Sequence, residues 1–107
     1  MSEFDELRRQ LRIAYGAVIE SARRGRFPTQ LAMAAAVGMK LNTYRRTEMG
    51  ERAVTGPELD VIEIVLGLEP GALKAEAWAM VHNGEIPSHA ERAADTWRKA
   101  LNPKRRR

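Results

Sequence analysis

Apolar residues recur every three or four positions along most of this chain, and glycine or proline interrupts the pattern at intervals. The longest uninterrupted stretch extends from Phe4 to about Arg24. This spacing is typical of amphipathic helices, whereas the alternation that a strand requires is never sustained. Because 44% of the 107 residues are apolar, the chain can bury a core of its own. We therefore predict a single all-α domain rather than a disordered chain.

Capping residues and helix-terminating residues divide the chain into six predicted helices. The first starts after the N-cap Ser2. Thr29 is the expected N-cap of the second, and Thr55 with Glu58 forms a capping box before the fourth. The fifth is expected to begin at Pro70, a proline in the first helical position. The predicted helices after the first cover about 30–37, 41–49, 56–66, 70–82 and 88–101.

The segment from Thr29 to Gly50, TQLAMAAAVGMKLNTYRRTEMG, has the spacing that two closely packed helices need. A helix-turn-helix requires a small residue where its helices cross and a glycine in the turn. Ala34 fits the small position and Gly38, four residues later, fits the turn. The usual apolar positions are filled by Met33, Val37, Met39 and Tyr44, with Thr47 at the fifth. This combination predicts a helix-turn-helix over 29–50.

On these residues the chain resembles the phage-repressor and Cro-like (XRE) family of helix-turn-helix DNA-binding proteins. The resemblance covers about residues 15–74. Thr29-Gln30 resembles the family's Ser/Thr-Gln opening, Glu48-Met49-Gly50 its Glu-x-Gly closing, and Leu66-Gly67-Leu68 the end of its fourth helix. Two departures are Lys40, where the family has a Ser or Thr cap, and the segment 25–28 before the motif.

The resemblance implies an all-α, five-helix repressor-like helix-turn-helix domain. The predicted helices add two features outside that family core, an extended N-terminal helix and an additional C-terminal helix. The DNA-binding domain is then expected at 1–82, with the C-terminal helix and a basic tail at 83–107. Arg23 falls where the family has an arginine that pairs with the glutamate matched by Glu48. We expect that pair to have a structural role between the first and third helices.

The resemblance further implies sequence-specific binding of double-stranded DNA by the third helix in the major groove, and a role as a transcriptional regulator of the repressor type. Asn42 could pair with adenine, Arg46 with guanine, and Leu41 could contact a thymine methyl group. The predicted phosphate-binding residues are Thr29, Gln30, Lys40, Arg45 and Arg52. Each has a simpler alternative: Arg45 and Arg46 as solvated side chains, Asn42 as a helix-start residue, and Leu41 as a packing residue.

Charge is segregated along the chain, whose net charge is +4 and whose pI is about 10.0. Residues 55–87 carry one lysine against six acidic residues, whereas residues 88–107 carry seven basic residues against two acidic ones. A basic end of this kind favours a polyanionic partner, although basic tails also promote solubility alone. The tail at Lys104–Arg107 could therefore add phosphate contacts or be inert.

Several function classes are disfavoured by residues that the sequence lacks. The absence of cysteine excludes disulfides, thiolate metal sites and a cysteine nucleophile. His82 and His89, with Glu85 between them, do not have metal-ligand spacing, and Asp60 with Glu63 are expected to be solvated surface acids. No phosphate-binding glycine loop or nucleophile motif occurs. We expect a cytoplasmic, soluble protein that is not an enzyme and has no cofactor, metal, membrane or small-molecule partner.

The two additions to the family core leave the oligomeric state open. The apolar faces of the extended first helix and of the last helix could cover the fourth and fifth helices of the same chain. These faces could instead form a homodimer, and we expect a second copy of the chain as a partner besides DNA. Two other functions fit the same fold. The protein could be an interaction adaptor or antitoxin-like module, or it could be a non-specific architectural DNA binder.

Overall fold

The computed structural model of the protein describes residues 3–86, and this part of the chain forms five α-helices and no strand. They are α1 (Glu3–Arg24), α2 (Gln30–Val37), α3 (Leu41–Glu48), α4 (Gly56–Leu66) and α5 (Ala72–His82). The all-α prediction and the bounds of α2 and α4 are confirmed, and α3 ends one residue before the predicted end. The N-cap Ser2, the predicted helix at 88–101 and the basic tail lie outside the described residues.

Local capping explains why the predicted bounds of α2 and α4 are correct. The Thr29 hydroxyl accepts a hydrogen bond from the Ala32 N–H at 3.1 Å. In the capping box of α4, the Thr55 N–H donates to the Glu58 carboxylate at 3.0 Å, and the Glu58 N–H donates to the Thr55 hydroxyl at 3.2 Å. Gly38 ends α2 with a φ of 74°, a conformation that side chains disfavour. These ends are fixed by residues within a few positions of each other.

The core lies around α1, which contacts α3, α4 and α5, while α2 packs on α3 and α4. Burial follows the predicted helical spacing, since the inward residues of each helix lie three or four positions apart. The buried apolar residues are Ile13, Ala14, Val18 and Ile19 of α1, Met33 and Ala34 of α2, Tyr44 of α3, Leu59, Ile62 and Leu66 of α4, and Leu73 and Ala77 of α5. No helix between residues 3 and 86 is long and apolar enough to cross a membrane.

The start of α5 differs from the prediction. Pro70 lies in a turn before the helix, and α5 begins at Ala72 after Gly71, whose φ is 86°. The carboxylate of Glu63 accepts hydrogen bonds from the Gly71 N–H at 2.9 Å and the Leu73 N–H at 3.0 Å. A side chain from α4 therefore caps α5, and the helix begins at Ala72, between the two N–H groups that Glu63 binds.

The same contact corrects the interpretation of Glu63 as a solvated acid. Glu63 is only 3% exposed, whereas its neighbour on α4, Asp60, is exposed as expected. A buried carboxylate is tolerated when hydrogen-bond donors satisfy it, and the two backbone N–H groups do so here.

Candidate nucleic-acid interface

The two sides of α3 have opposite character. Tyr44, Thr47 and Glu48 are at most 1% exposed. The outward side is polar and cationic, and its exposed residues are Lys40, at the N-cap, and Asn42, Arg45 and Arg46. Tyr44 and Thr47, which stand at apolar positions of the predicted motif, are therefore buried, and the basic residues share the solvent-facing side.

Glu48 is the centre of a buried hydrogen-bond network that fixes α3 against the rest of the fold. Arg23 of α1 donates to its carboxylate, with a distance of 2.6 Å between Nε and Oε2. Gln30 of α2 donates its side-chain amide to Oε1 at 2.9 Å, and the Tyr44 hydroxyl also donates to Oε2. One carboxylate thus connects α1, α2 and α3, and the expected Arg23–Glu48 pair is present.

Burial and pairing shift the pKa values of two donors in this network, Tyr44 and Arg23. Burial raises the pKa of the Tyr44 hydroxyl far above its ordinary value, and the hydrogen bond to Glu48 adds to the effect. Burial alone would lower the pKa of Arg23. The hydrogen bond to Glu48 and the negative charge of Glu48 together outweigh burial, so the pKa of Arg23 is raised. Tyr44 is therefore a neutral donor and Arg23 a permanent cation, which balances the buried carboxylate.

The backbone of α1 approaches the end of α3 closely at Gly16. A Cβ atom at that position would lie 2.7 Å from the Thr47 carbonyl oxygen and still closer to that of Glu48. Arg12, one turn earlier, donates its Nε to the Gly50 carbonyl oxygen at 2.9 Å. Gly16 and Arg12 were not among the predicted functional residues. An isolated glycine inside a helical pattern is the sequence signal that could have identified the close approach.

The exposed side chains of α3 and its N-cap differ in whether they already have a hydrogen-bond partner within the protein. Arg45 donates to the Asn42 side-chain oxygen at 3.2 Å. Within residues 3–86, Arg46 and Lys40 make no side-chain hydrogen bond or ion pair. Leu41 is half-buried and packs against the core. It therefore has the packing role that was the alternative to a base contact. Arg46 and Lys40 are the α3 cations most available to an external anion.

Arg52 has internal partners that the sequence did not predict. Its guanidinium donates to both carboxylate oxygens of Glu58, at 3.0 and 2.7 Å, and to the Thr47 hydroxyl at 3.1 Å. The hydrogen bond from Arg52 holds the pKa of the Glu58 carboxyl below its ordinary value, and the same bond raises the pKa of Arg52. Arg52 can therefore contact a phosphate only if the ion pair with Glu58 opens or is shared.

The start of α2 lies beside this surface. Thr29 is exposed, and its hydroxyl caps the helix. Gln30 is half-buried and lines a cleft of about 570 Å³ together with Arg45 and Arg24. The first N–H groups of a helix lack acceptors within it, so a helix N-terminus is suited to an anion. Of the predicted phosphate-binding residues, the cleft thus brings together Gln30 and Arg45, while Glu20 and Glu51 contribute acidic groups to it.

The described residues include no group of three or more histidine or acidic side chains that could hold a metal ion. His82 and Glu85 are both exposed, and His89 lies outside the described residues.

Comparisons with known proteins give no relatives for this chain. No protein-family model matches it, and searches of the curated proteins and of the solved structures give no significant match. The functional interpretation therefore depends on the residues and the geometry described above.

Proposed function

We propose that the protein binds double-stranded DNA by placing α3 in the major groove, and that it acts as a transcriptional regulator of the repressor type. The observation that carries this proposal is the division of α3 into two sides. The inward side is fixed by the Glu48 network, and the outward side presents Lys40, Asn42, Arg45 and Arg46 to solvent. A helix that is fixed on one side and exposes polar and cationic side chains along the other, from the N-cap Lys40 to Arg45 and Arg46 in the last turn, is suited to base reading.

The charge on α3 supports this proposal. The helix contains one acidic residue, Glu48, and that residue is buried and bonded to Arg23. Its exposed side therefore has no carboxylate of its own to repel phosphate groups. Most of the affinity for a duplex comes from neutralising phosphates with lysine and arginine, so this side of α3 is suited to the contact.

We assign different roles to these side chains according to their chemistry and their freedom. Arg46 has a free guanidinium that can donate to O6 and N7 of guanine, and Asn42 can pair with N6 and N7 of adenine. Leu41 contacts a thymine methyl group through the part of its side chain that the core leaves exposed. The proposed phosphate contacts are Thr29, Gln30, Lys40, Arg45 and, when its pair with Glu58 opens, Arg52.

Selection from random duplex DNA at near-physiological salt tests the proposal. An enriched inverted repeat with half-sites about ten base pairs apart would support a dimer that places two copies of α3 one helical turn apart. A single enriched half-site would support a monomeric reader. The homodimer is a separate proposal, tested by light scattering, and a monomeric mass at tens of micromolar would contradict it.

The same selection distinguishes the other candidate functions. Binding without enrichment that disappears as salt rises would identify a non-specific architectural binder. Absence of binding at any salt would favour the protein-interaction module. The exposed side of α2 supports this last candidate, because it is uncharged and carries Leu31, which is 63% exposed, with Ala32, Ala35 and Ala36.

A further inference from the structure

The helix α5 is apolar on two opposite sides. One side faces the core through Leu73 and Ala77, which are fully buried. The other side carries residues spaced i, i+3, i+4 and i+7 that are all exposed, namely Ala75, Trp78, Ala79 and His82. We call these four residues the α5 outer stripe. Three of them are apolar, and Trp78 is 39% exposed. Helices that are apolar on both sides are normally covered on both sides.

Backbone hydrogen bonds close the C-terminal end of α5. The Glu85 N–H donates to the Met80 carbonyl oxygen at 3.0 Å, the Gly84 N–H donates to that of Val81 at 3.2 Å, and Gly84 has a φ of 67°. This arrangement ends a helix and redirects the chain. Ile86 is half-buried, so the chain is still against the fold where the described part ends. The described part of the chain therefore ends close to the C-terminal end of α5.

The sequence of residues 88–107 is complementary to this part of the fold in charge and in pattern. It contains seven basic and two acidic residues, whereas the exposed acids around α5 are Glu69, Glu76 and Glu85. Within residues 69–86, Lys74 is the single lysine or arginine. Four apolar residues of the segment recur at helical spacing and form one stripe: Ala90, Ala94, Trp97 and Leu101. An apolar pattern in a basic segment can cover an apolar stripe flanked by acids.

We propose that residues 88–101 pack antiparallel along α5 and cover the α5 outer stripe. The length fits, because a helix over 88–101 would extend about 21 Å and α5 about 16 Å. Ala75 and Ala79 have small side chains that permit close approach of another helix, and Trp78 supplies apolar area. This inference concerns a contact within the chain, and it does not rest on the proposed DNA binding.

The chain's own segment is favoured over a second copy because of effective concentration. Only the short stretch 83–87 separates α5 from the segment. A short link holds two groups together at an effective concentration on the order of millimolar, far above that of a micromolar protein solution. A second copy would have to compete with this local segment for the same stripe.

Disulfide cross-linking in the full chain tests the contact. The chain contains no cysteine, so two introduced cysteines are its only thiols. An antiparallel arrangement about the 83–87 turn brings Ala94 opposite Ala75, and a disulfide requires Cα atoms within about 7 Å. We expect the double variant A75C/A94C to form an intramolecular disulfide on mild oxidation at micromolar concentration. The matched control is A35C/A94C, because Ala35 is an equally simple exposed alanine on α2.

Non-reducing mass spectrometry distinguishes the outcomes. An intramolecular disulfide in A75C/A94C but not in A35C/A94C supports the proposal. Equal cross-linking in both variants would overturn it, since the segment would then have no preferred position. Disulfide-linked dimers would also overturn it and would identify a second copy as the occupant.

If neither variant cross-links, fluorescence of Trp78 decides. Trp78 is the single tryptophan in a Trp97→Phe variant. Adding Ala94→Glu and Leu101→Glu to that variant should increase quenching of Trp78 by acrylamide, because charged residues cannot cover the stripe. Unchanged quenching would overturn the proposal. Neither measurement uses DNA, so a failure here is distinguishable from a failure of the proposed function.

Discussion

Two buried glutamates each hold a helix in place, and their partners differ in kind. Glu48 lies in the half of the fold formed by α1, α2 and α3, and Glu63 lies in the half formed by α4 and α5. Glu48 of α3 accepts hydrogen bonds from side chains of α1, α2 and α3: Arg23, Gln30 and Tyr44. Glu63 of α4 accepts them from two backbone N–H groups at the start of α5. The position of α3 therefore depends on the identity of four residues, whereas that of α5 depends on one residue and the path of the backbone.

The two halves also present different surfaces. The half built around Glu48 exposes the cationic side of α3, because Glu48, the acidic residue of that helix, is buried. The half built around Glu63 exposes acids and the α5 outer stripe. Variants in the two halves should therefore separate effects on stability from effects on binding.

The largest expected effect follows removal of the Arg23 guanidinium. Arg23→Met leaves the Glu48 carboxylate buried without its cation, and breaking a buried pair on one side costs about 3–5 kcal/mol. We expect a loss of this size in the free energy of unfolding, measured by urea denaturation. Adding Glu48→Gln removes the unpaired charge, so the double variant should be more stable than Arg23→Met alone.

Arg24→Met is the matched control for this prediction. Arg24 is the next residue of α1 and pairs with Glu20 at 2.6 Å, but its side chain is 44% exposed. Exposed pairs contribute about 0–1 kcal/mol. Similar losses in Arg23→Met and Arg24→Met would show that the Glu48 network does not hold α3.

Most of the helix bounds could be predicted from sequence because local signals determine them. Thr29 and Thr55 cap their helices through N–H groups three residues away, and Gly38 ends α2 at the predicted position. The start of α5 could not be predicted in this way. Its cap is Glu63, which is eight and ten residues away from the groups it binds, and no spacing rule indicates such a contact.

The candidate site shows the same limit. The inward side of α3 and the Arg23–Glu48 pair were predicted from apolar spacing and from the family resemblance. The contributions of Gln30 and Tyr44 to the network were not, since they depend on how three helices meet. Arg52 was predicted as a phosphate contact, but a charge alone does not indicate that Glu58 is within reach.

A smaller loss of stability is expected at the second glutamate. Glu63→Ala removes the acceptor of two N–H groups, and hydrogen bonds to a charged group contribute about 1.5–3 kcal/mol. Hydrogen exchange should show the loss first at the Leu73 amide, since the rest of the fold keeps its contacts. Asp60→Ala, an exposed acid of the same helix, should change stability by less than about 0.5 kcal/mol. Unchanged protection at Leu73 would show that Glu63 does not cap α5.

We expect the affinity of the proposed DNA binding to change on substitution of an exposed cation of α3, but not of an exposed cation of α5. Arg46→Ala should weaken binding by about 1–3 kcal/mol and relax the preference at one base position. Because Arg46 is exposed, the free energy of unfolding should hardly change. Lys74→Ala removes an exposed cation from the other half and should leave affinity unchanged. Equal weakening by Arg46→Ala on all DNA sequences would identify a phosphate contact instead of a base contact.

The smallest effect is expected at the junction of the two halves, where Glu58 binds Arg52. The pKa of Glu58 is lowered from its ordinary value of 4.5, so the folded state keeps the carboxylate charged where the unfolded state begins to bind a proton. Its contribution to stability is therefore present above about pH 4.5 and is lost as pH falls through the lower folded-state pKa. For a partly exposed pair this contribution is about 0–1 kcal/mol, and Glu58→Gln should remove its pH dependence.

The same substitution tests whether Arg52 takes part in the proposed DNA binding. Glutamine keeps an acceptor for the Thr55 N–H but lacks the negative charge that competes with phosphate for the guanidinium. If Arg52 reaches a phosphate, Glu58→Gln should tighten binding, and the plot of log affinity against log salt should become steeper by about one unit. An unchanged slope, with the pH dependence of stability still removed, would show that Arg52 acts only inside the protein. The ion pair would then connect α4 to the end of α3 without taking part in recognition.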